Sequence, residues 1–399
     1  MKTRLLTLSL SALLIVLVLA ACGGGETTES PLLRMLRFVP DTPGYREYLT
    51  YGDAEAWHTS WDIPRIDSLE ELDSLDRESR AYWLFILWQQ TTPPDSLGFQ
   101  SMFADDLRGA YGFDLFNLDR YTLAGMPPDY VTIVEFSFDK AQVADALTAS
   151  GYAVETLEEE GTLYSILGDY ELDFEAPTMA GKLGNLNRIA LLDGQMVIAK
   201  ATANVTNALL AHSGERSSLA DNPDYVAAAK ALEDPALKDT GELVGVILME
   251  GSQFYALDAL IGPQMDAEQL EAIREKYTGQ GPRLPAYKLV AFATRHSEGA
   301  SYLILAVVFP KGADASAAAD ILADRLRNYE SWVAEMRLDE RWTFDQATGI
   351  EAEGLPVALV VMRADDPPPT PEDESMVNTA VFSWMRMIVS RDTLFLTIE

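Results

Sequence analysis

The chain has only one cysteine, Cys22, among its 399 residues. No disulfide can form within one copy, so cross-links contribute nothing to its stability. The free energy of folding must come from buried apolar surface. With 48% hydrophobic residues, the composition is that of a chain that folds into real cores rather than a disordered one.

Basic residues are also scarce. The 30 Lys and Arg residues face 62 Asp and Glu residues, which gives a net charge of −32. This balance excludes nonspecific nucleic-acid binding, which depends on cations that neutralise phosphates. It argues against a body that lies flat on anionic lipid. Partners are expected to be cationic, metal-bearing or neutral, although the acidity also serves simply to keep an exposed protein soluble.

Motifs for metal or phosphate chemistry are missing. No zinc-binding His-Glu-x-x-His, no EF-hand calcium loop and no Gly-x-Ser-x-Gly elbow occurs, and Gly181-Lys182 lacks the rest of a P-loop. The histidines lie far apart, without ligand spacing, at His58, His212 and His296. We therefore expect no metal site, no cofactor and no catalytic residue that the sequence can name.

One short match to a catalytic motif does occur. Ser137 and Lys140 spell Ser-x-x-Lys, the nucleophile motif of penicillin-recognising enzymes, but neither Ser-Asp-Asn nor Lys-Thr-Gly accompanies it. The position favours a strand end followed by the N-cap residue Asp139. A pair of carboxylates for glycoside hydrolysis stays open, because the separation of such a pair depends on the fold.

The N-terminus has the layout of a secretory signal. Lys2 and Arg4 precede the apolar run Leu5–Leu19, and the small residues Ala20-Ala21 come directly before Cys22. A membrane-spanning helix is the alternative. The run is shorter than the roughly 20 residues that a span requires, and three glycines, which disfavour helix, follow Cys22.

Leu19-Ala20-Ala21-Cys22 resembles the lipobox of bacterial lipoproteins. The resemblance implies cleavage between Ala21 and Cys22, and acylation of the Cys22 thiol. Attachment by two or more acyl chains is stable. Cleavage would remove Lys2 and Arg4 and leave the mature chain still more acidic.

Composition and turn signals divide the chain into five parts. We predict a signal peptide over 1–21, the lipidated Cys22 with a flexible linker over 22–31, an aromatic-rich segment over 32–118, and α+β modules over 119–240 and 241–399. In the aromatic segment, Ser68 and Glu71 fit a capping box, and Ala81–Trp88 reads as a buried helix end. Its aromatics are either core or a platform for stacking sugars or peptides.

Module 1 shows strand alternation and clear turns. We predict a strand over 130–138, a helix capped by Asp139 that stops at Gly151, hairpins over 152–166 and 187–200, and a helix over 203–211.

Module 2 has a similar order. We predict strands over 244–249, 287–294, 301–309 and 358–363, helices over 266–277 and 314–332, and a terminal hairpin that turns at Arg391-Asp392. Matching strand-to-helix junctions at 136–139 and 308–311, and matching closing hairpins at 188–194 and 386–392, suggest an internal duplication. Asp365–Glu374 reads as an exposed acidic loop.

Tyr111–Leu115 and Ser218–Pro223, together with the lipobox and the paired modules, resemble uncharacterised bacterial envelope lipoproteins. The resemblance implies an extracytoplasmic protein anchored to the cell membrane or outer envelope, without known chemistry.

The sequence thus predicts an α+β fold: an aromatic-rich, mostly helical segment, then two related modules of antiparallel sheet with helices packed on one face. The expected function is non-catalytic, in binding or in envelope assembly. Partners are the bilayer through acylated Cys22 and an unknown envelope protein or small ligand, with no nucleic acid. Two alternatives are a solute-binding receptor that uses a cleft between the modules and an envelope-polymer hydrolase with paired carboxylates.

Overall fold

A computed structural model describes residues 29–62, 64–77, 79–80, 83, 107–137, 139–157, 161–255, 271, 282–297, 299–365 and 380–398. The predicted signal segment and Cys22 lie outside this part of the chain. So do most of Ala81–Trp88, most of the helix predicted over 266–277, and most of the acidic segment Asp365–Glu374.

Twelve strands form one antiparallel sheet in the order β13-β14-β10-β9-β8-β1-β2-β3-β7-β6-β5-β4. A separate two-stranded ladder pairs β11 with β12. The strands are β1 Leu49–Asp53, β2 Leu118–Met126, β3 Asp129–Phe136, β4 Ala153–Leu157, β5 Gly161–Ser165, β6 Arg188–Leu191, β7 Gln195–Ala199, β8 Glu242–Glu250, β9 Leu289–Ser297, β10 Ala300–Val308, β11 Glu330–Ser331, β12 Met336–Arg337, β13 Thr343–Ala352 and β14 Leu355–Asp365.

The short strand β1 joins the two modules. Leu49 pairs with Ala124 of β2 on one side and with Leu248 of β8 on the other. Packing explains the glycine at position 52 of this strand, because the ring of Tyr121 occupies the space where a Cβ would stand. The sequence reading did not find this strand, since it has only five residues and one is glycine.

The helices follow from local capping signals. Asp139 and Asp314 accept backbone N–H bonds at the starts of α6 and α10. At α4 the Ser68 hydroxyl accepts from the Glu71 N–H, while the Glu71 carboxylate accepts from the N–H of Asp67 rather than of Ser68. The helices are α1 Pro31–Leu36, α2 Pro43–Arg46, α3 Ala54–Ser60, α4 Leu69–Ser74, α5 Leu107–Tyr111, α6 Lys140–Ala149, α7 Met179–Lys182, α8 Thr202–His212, α9 Pro223–Leu232, α10 Ala315–Arg327 and α11 Ala380–Val389.

The two faces of the sheet are covered differently. Face A, to which Ile133 and Ile304 point, carries one core that runs across both modules under α1, α8 and α9. Face B, to which Val134 and Leu303 point, carries two separate cores, one under α5 and α6 in module 1 and one under α10 and α11 in module 2.

The α+β class and the antiparallel pairing are therefore confirmed, whereas the position of the helices needs correction. Helices cover both faces rather than one. The reason lies in the central strands: β8, β9, β10 and β14 are buried along both alternations of side chains, so each face must be covered by another layer.

Strand order is the same in both modules. The segments β2-β3-α6-β6-β7 and β9-β10-α10-β13-β14 each place the last strand beside the second. The hairpin at 188–199 of module 1 thus corresponds to the hairpin at 343–365 of module 2. The prediction of a terminal hairpin over 386–392 is wrong. These residues form the end of helix α11 and the turn after it, and the buried Val381, Trp384 and Ile388 recur at helical spacing.

Within the described residues, no helix is long and apolar enough to cross a membrane.

Candidate functional site

A cavity of about 400 Å³ opens on face B at the junction of the two modules. Its floor is formed by the central strands, with Leu123 of β2 and Met249 of β8. One wall comes from module 1 through Leu183 and Lys200, and the other from the end of α11 in module 2 through Ile388 and Arg391. The cavity therefore fills the gap between the two face B cores.

Most of the lining is apolar, and the rim is exposed. Met126, Leu183 and Val389 keep 46%, 42% and 58% of their surface accessible while they line the opening. Exposed apolar side chains grouped at a cavity mouth are typical of a surface that binds an apolar group.

Lys200 directly follows β7. Its carbonyl accepts a hydrogen bond from the N–H of Tyr170 at 3.1 Å, and its Nζ lies 5.9 Å from the centroid of the Tyr130 ring. Burial lowers the pKa of Lys200, because the charged amine is partly removed from water.

Arg391 follows α11 in a left-handed backbone conformation, with φ of +60°. The N–H of Arg391 donates to the Ile388 carbonyl at 3.0 Å, and the N–H of Asp392 donates to the Met387 carbonyl at 2.8 Å. These two bonds define a Schellman ending, in which glycine is the usual residue at the left-handed position. An arginine at this position adopts a backbone conformation that non-glycine residues disfavour.

The neighbouring Asp392 fixes this turn. Its buried carboxylate accepts bonds from the Tyr329 hydroxyl at 2.6 Å, the Ser331 hydroxyl at 2.6 Å and the Val333 N–H at 3.0 Å. Burial raises the pKa of Asp392, and these hydrogen bonds lower it by less, so the pKa lies above its usual value. Asp392 thus anchors the chain beside Arg391 without facing the cavity.

Neither Lys200 nor Arg391 makes an ion pair with any carboxylate in the described part of the chain. Other cations do find such partners: Lys140 Nζ lies 2.8 Å from Asp193, and Arg34 Nε lies 2.7 Å from Glu135. Other described cations, such as Lys238, also lack an ion pair, but Lys200 and Arg391 share one apolar cavity.

A buried hydrogen bond supports the module 1 wall. The Tyr130 hydroxyl donates to Asn185 Oδ1 at 2.6 Å, and the N–H of Asn185 donates to the Ala180 carbonyl at 2.9 Å. Both side chains are at most 5% exposed. The segment that carries Leu183 is therefore fixed to β3.

A second cavity, of about 310 Å³, lies within module 1. Tyr111, Tyr152, Asp173 and Glu175 line it, so it combines aromatic rings with acids and contains no residue of module 2. No feature on its walls singles out a ligand.

On face A a partly buried ion network connects α1 to the ends of β1, β2 and β3. Glu135 accepts from Arg34 at 2.7 and 2.9 Å and from Arg120 at 3.3 Å, and Arg120 also bonds Asp53 at 2.8 Å. Burial alone would raise the pKa of Glu135, but the bonds from Arg34 and the other donors outweigh burial and lower it. Each charge has its partner, so the network is a structural one.

The residues singled out in the sequence are not brought together. His212 stacks on Phe38 with centroids 3.9 Å apart, and His296 stacks on Trp61 at 3.7 Å, while His58 lies near Trp83. Across the described ranges, no three His, Cys, Asp or Glu side chains could hold a metal ion. Ala21 and Cys22 lie outside those ranges.

The Ser-x-x-Lys pattern is structural. The hydroxyl of Ser137 lies 3.5 Å from the Asn117 carbonyl, and Lys140 bonds Asp193 on the β6–β7 turn. Asp139 caps α6 as expected. The two motif residues therefore have separate partners.

The carboxylates with raised pKa values do not line either cavity. Burial raises the pKa of Asp114, Asp224 and Asp392, and none of them is in the cavity walls. The signature of a hydrolase, a facing pair with one raised pKa across a groove, is therefore missing from these two cavities.

Sequence reasoning missed both Lys200 and Arg391. Lys200 ends a correctly predicted hairpin, but nothing in its surroundings marks it. Arg391 was assigned to a hairpin turn, although the helical spacing of 381–388 could have placed it at a helix end.

No family model matches this chain, and no curated protein matches it significantly. Among solved structures, crystal form I of TP0453 aligns with a TM-score of 0.37 and 8% identity, over 90% of this chain and 98% of that chain. Crystal form III of TP0453 aligns at 0.31 and 7%, over 83% and 93%. Likeness at these values does not identify a function.

Proposed function

We propose that this protein is a non-catalytic binding protein of the cell envelope, tethered on the extracytoplasmic side through acylated Cys22. Its binding site is the cavity at the module junction. The single observation that supports this site is its lining: an apolar cavity built from both modules carries two cations without carboxylate partners among the described residues. The proposal combines the predicted assembly or binding role with the predicted inter-module receptor.

The tether is supported by the first 22 residues alone, where a charged start, an apolar run and small residues lead to Cys22. Its test is metabolic labelling with a fatty acid in a bacterial host. Wild type and the linker variant Thr27→Ala should take up label and sediment with membranes, and Cys22→Ala should do neither. Label retained by Cys22→Ala would remove the tether from the proposal.

The binding site has a separate test on the mature chain with Cys22→Ala, which avoids acylation. The probe is the neutral dye N-phenyl-1-naphthylamine, whose fluorescence rises in apolar surroundings. Leu123 lies on the half-buried floor, so Leu123→Trp should fill the cavity and abolish saturable dye binding.

The matched control is Val154→Trp on the exposed strand β4, where Val154 is 53% exposed and does not line the cavity. This variant should bind the dye as the parent does. Equal dye affinity in Leu123→Trp and Val154→Trp would contradict the assignment of the site.

A further inference from the structure

We propose that the junction cavity takes an amphipathic anion, a molecule with one negatively charged oxygen-bearing head and a single apolar tail. The head lies between Lys200 and Arg391, and the tail lies over Leu123, Met249 and Ile388. This inference rests on the proposed function, because it names the ligand class of the same site.

The charge of the lining selects an anion. Both basic side chains are half-buried in the cavity wall, burial lowers the pKa of Lys200, and neither has a carboxylate partner among the described residues. A cation held in apolar surroundings without a partner is unfavourable. An anionic head would supply the missing partner, and it would gain two charge-assisted hydrogen bonds of the stronger kind.

The chemistry of the two cations suits an oxyanion. Arg391 offers a planar fork of donors that fits a carboxylate or phosphate in two-point fashion. Its backbone is held by the bonds at the end of α11 and by the anchored Asp392. Lys200 comes from the opposite wall as a compact charge, and the carbonyl of its own backbone is engaged by Tyr170. The head would therefore bridge module 1 and module 2.

The shape of the lining selects a single apolar tail. A volume of about 400 Å³ lies at the lower end of small-molecule sites, which span roughly 300–1,000 Å³. A short chain fits inside, and a longer one would leave over the exposed rim of Met126, Leu183 and Val389. Those exposed apolar side chains would then be covered by the ligand itself.

The test compares amphiphiles that share one tail and differ in head. Dodecanoate and dodecyltrimethylammonium, each below its micelle-forming concentration, compete with N-phenyl-1-naphthylamine on the full mature chain with Cys22→Ala. Dodecanoate should displace the dye at least about tenfold more tightly, since one charge-assisted hydrogen bond is worth about that factor.

The variants test the two cations. With the dye affinity of each variant measured first, Lys200→Met and Arg391→Gly should each weaken dodecanoate binding about tenfold, whereas Lys200→Arg should bind dodecanoate as the parent does. The control is Lys230→Met on α9, because Lys230 is paired with Glu233 at 3.3 Å and is not in the cavity wall. Unchanged dodecanoate affinity in both cavity variants would overturn the inference.

A second arm distinguishes the source of the anion. Vesicles of phosphatidylglycerol are added to the same proteins and then sedimented. If the parent sediments with the vesicles and both cavity variants do not, the anionic head is that of a membrane lipid. Sedimentation in none of the proteins, with dodecanoate binding retained, would assign it to a free amphiphile.

The failures of the two proposals are distinguishable. Equal displacement by the cationic and anionic probes would overturn the ligand class and leave the cavity as a binding site. Absence of saturable binding of the dye and of both amphiphiles would overturn both proposals.

Discussion

Lys200 and Arg391 belong to different modules, line one apolar cavity from opposite walls, and make no ion pair with any carboxylate that the structure describes. Because the sheet is continuous through β1, the two walls are held by one framework. The pairing of cations across the junction is what gives the cavity a chemical character beyond its apolar floor.

Replacing Arg391 by glycine should stabilise the protein while weakening anion binding. The left-handed conformation at φ +60° costs a non-glycine residue about 1 kcal/mol, and the glycine variant avoids this cost. Thermal unfolding should show a higher midpoint, and dodecanoate titration a lower affinity. The control is Glu353→Gly, at φ +49° in the β13–β14 turn, which should stabilise without a change in affinity. A lower unfolding midpoint for Arg391→Gly would assign the guanidinium a structural role.

Affinity for the anion should fall as the pH rises through the lowered pKa of Lys200. Burial lowers this pKa, so the amine loses its proton, and its attraction for an anion, at a lower pH than an exposed lysine would. Bound anion should shift the transition to higher pH. Dodecanoate titrations across the alkaline range measure this, with Lys200→Arg as the control whose affinity stays flat. If the affinity of Lys200→Arg fell with pH in the same way as that of the parent, a group other than Lys200 would be responsible for the pH dependence.

Glu135→Gln should lower the free energy of unfolding by about 3 kcal/mol, because it leaves Arg34 and Arg120 without their shared carboxylate. The side chain of Glu135 is only 10% exposed. Asp193→Asn breaks an ion pair whose acid is 99% exposed and should leave the free energy of unfolding nearly unchanged. Urea unfolding of both variants checks the difference, and equal losses would mean that the face A network is no stronger than a surface pair.

His296 should make the fold sensitive to acid. Burial lowers its pKa to about 4, against a smaller opposing effect of the Ser60 backbone, and the ring is 1% exposed on Trp61. The unfolded chain takes up the proton near pH 6.5, so stability is present above that pH and is lost as the pH falls towards 4, by up to about 3 kcal/mol. His296→Phe keeps an aromatic ring on Trp61 and should reduce that loss. The free energy of unfolding of both proteins is measured in urea at pH 7 and pH 4.5. If the parent and His296→Phe lost the same amount between these two pH values, the prediction would be contradicted.

The local signals in the sequence predicted much of the fold. The Asp-Gly turn at 193–194 and the caps at Asp139 and Asp314 are local, and the elements they predicted are present. The strand β1 was not predictable in this way, because five residues with a central glycine become a strand only through pairing on both sides. The helix predicted over 203–211 is present as α8, but its position on face A was not predictable, because continuous apolar strands do not show which layer covers each face.

The site itself was beyond the sequence. Lys200 and Arg391 lie in different modules, and no motif links positions that far apart. For Arg391 there was a further error: 386–392 was predicted to be a hairpin, although apolar residues at 381, 384, 385 and 388 follow the period of a helix. The inter-module cleft was predicted as an alternative, but its two cations were not.

The most direct measurement is a crystal structure of the mature chain grown with 12-bromododecanoate, in which anomalous scattering locates the end of the tail. The bromine should lie in the junction cavity or at its rim near Met126 and Val389, with carboxylate oxygens in hydrogen-bond distance of Lys200 and Arg391. Bromine density elsewhere on the protein, with the cavity empty at saturating ligand, would contradict the assignment of this site to an amphipathic anion.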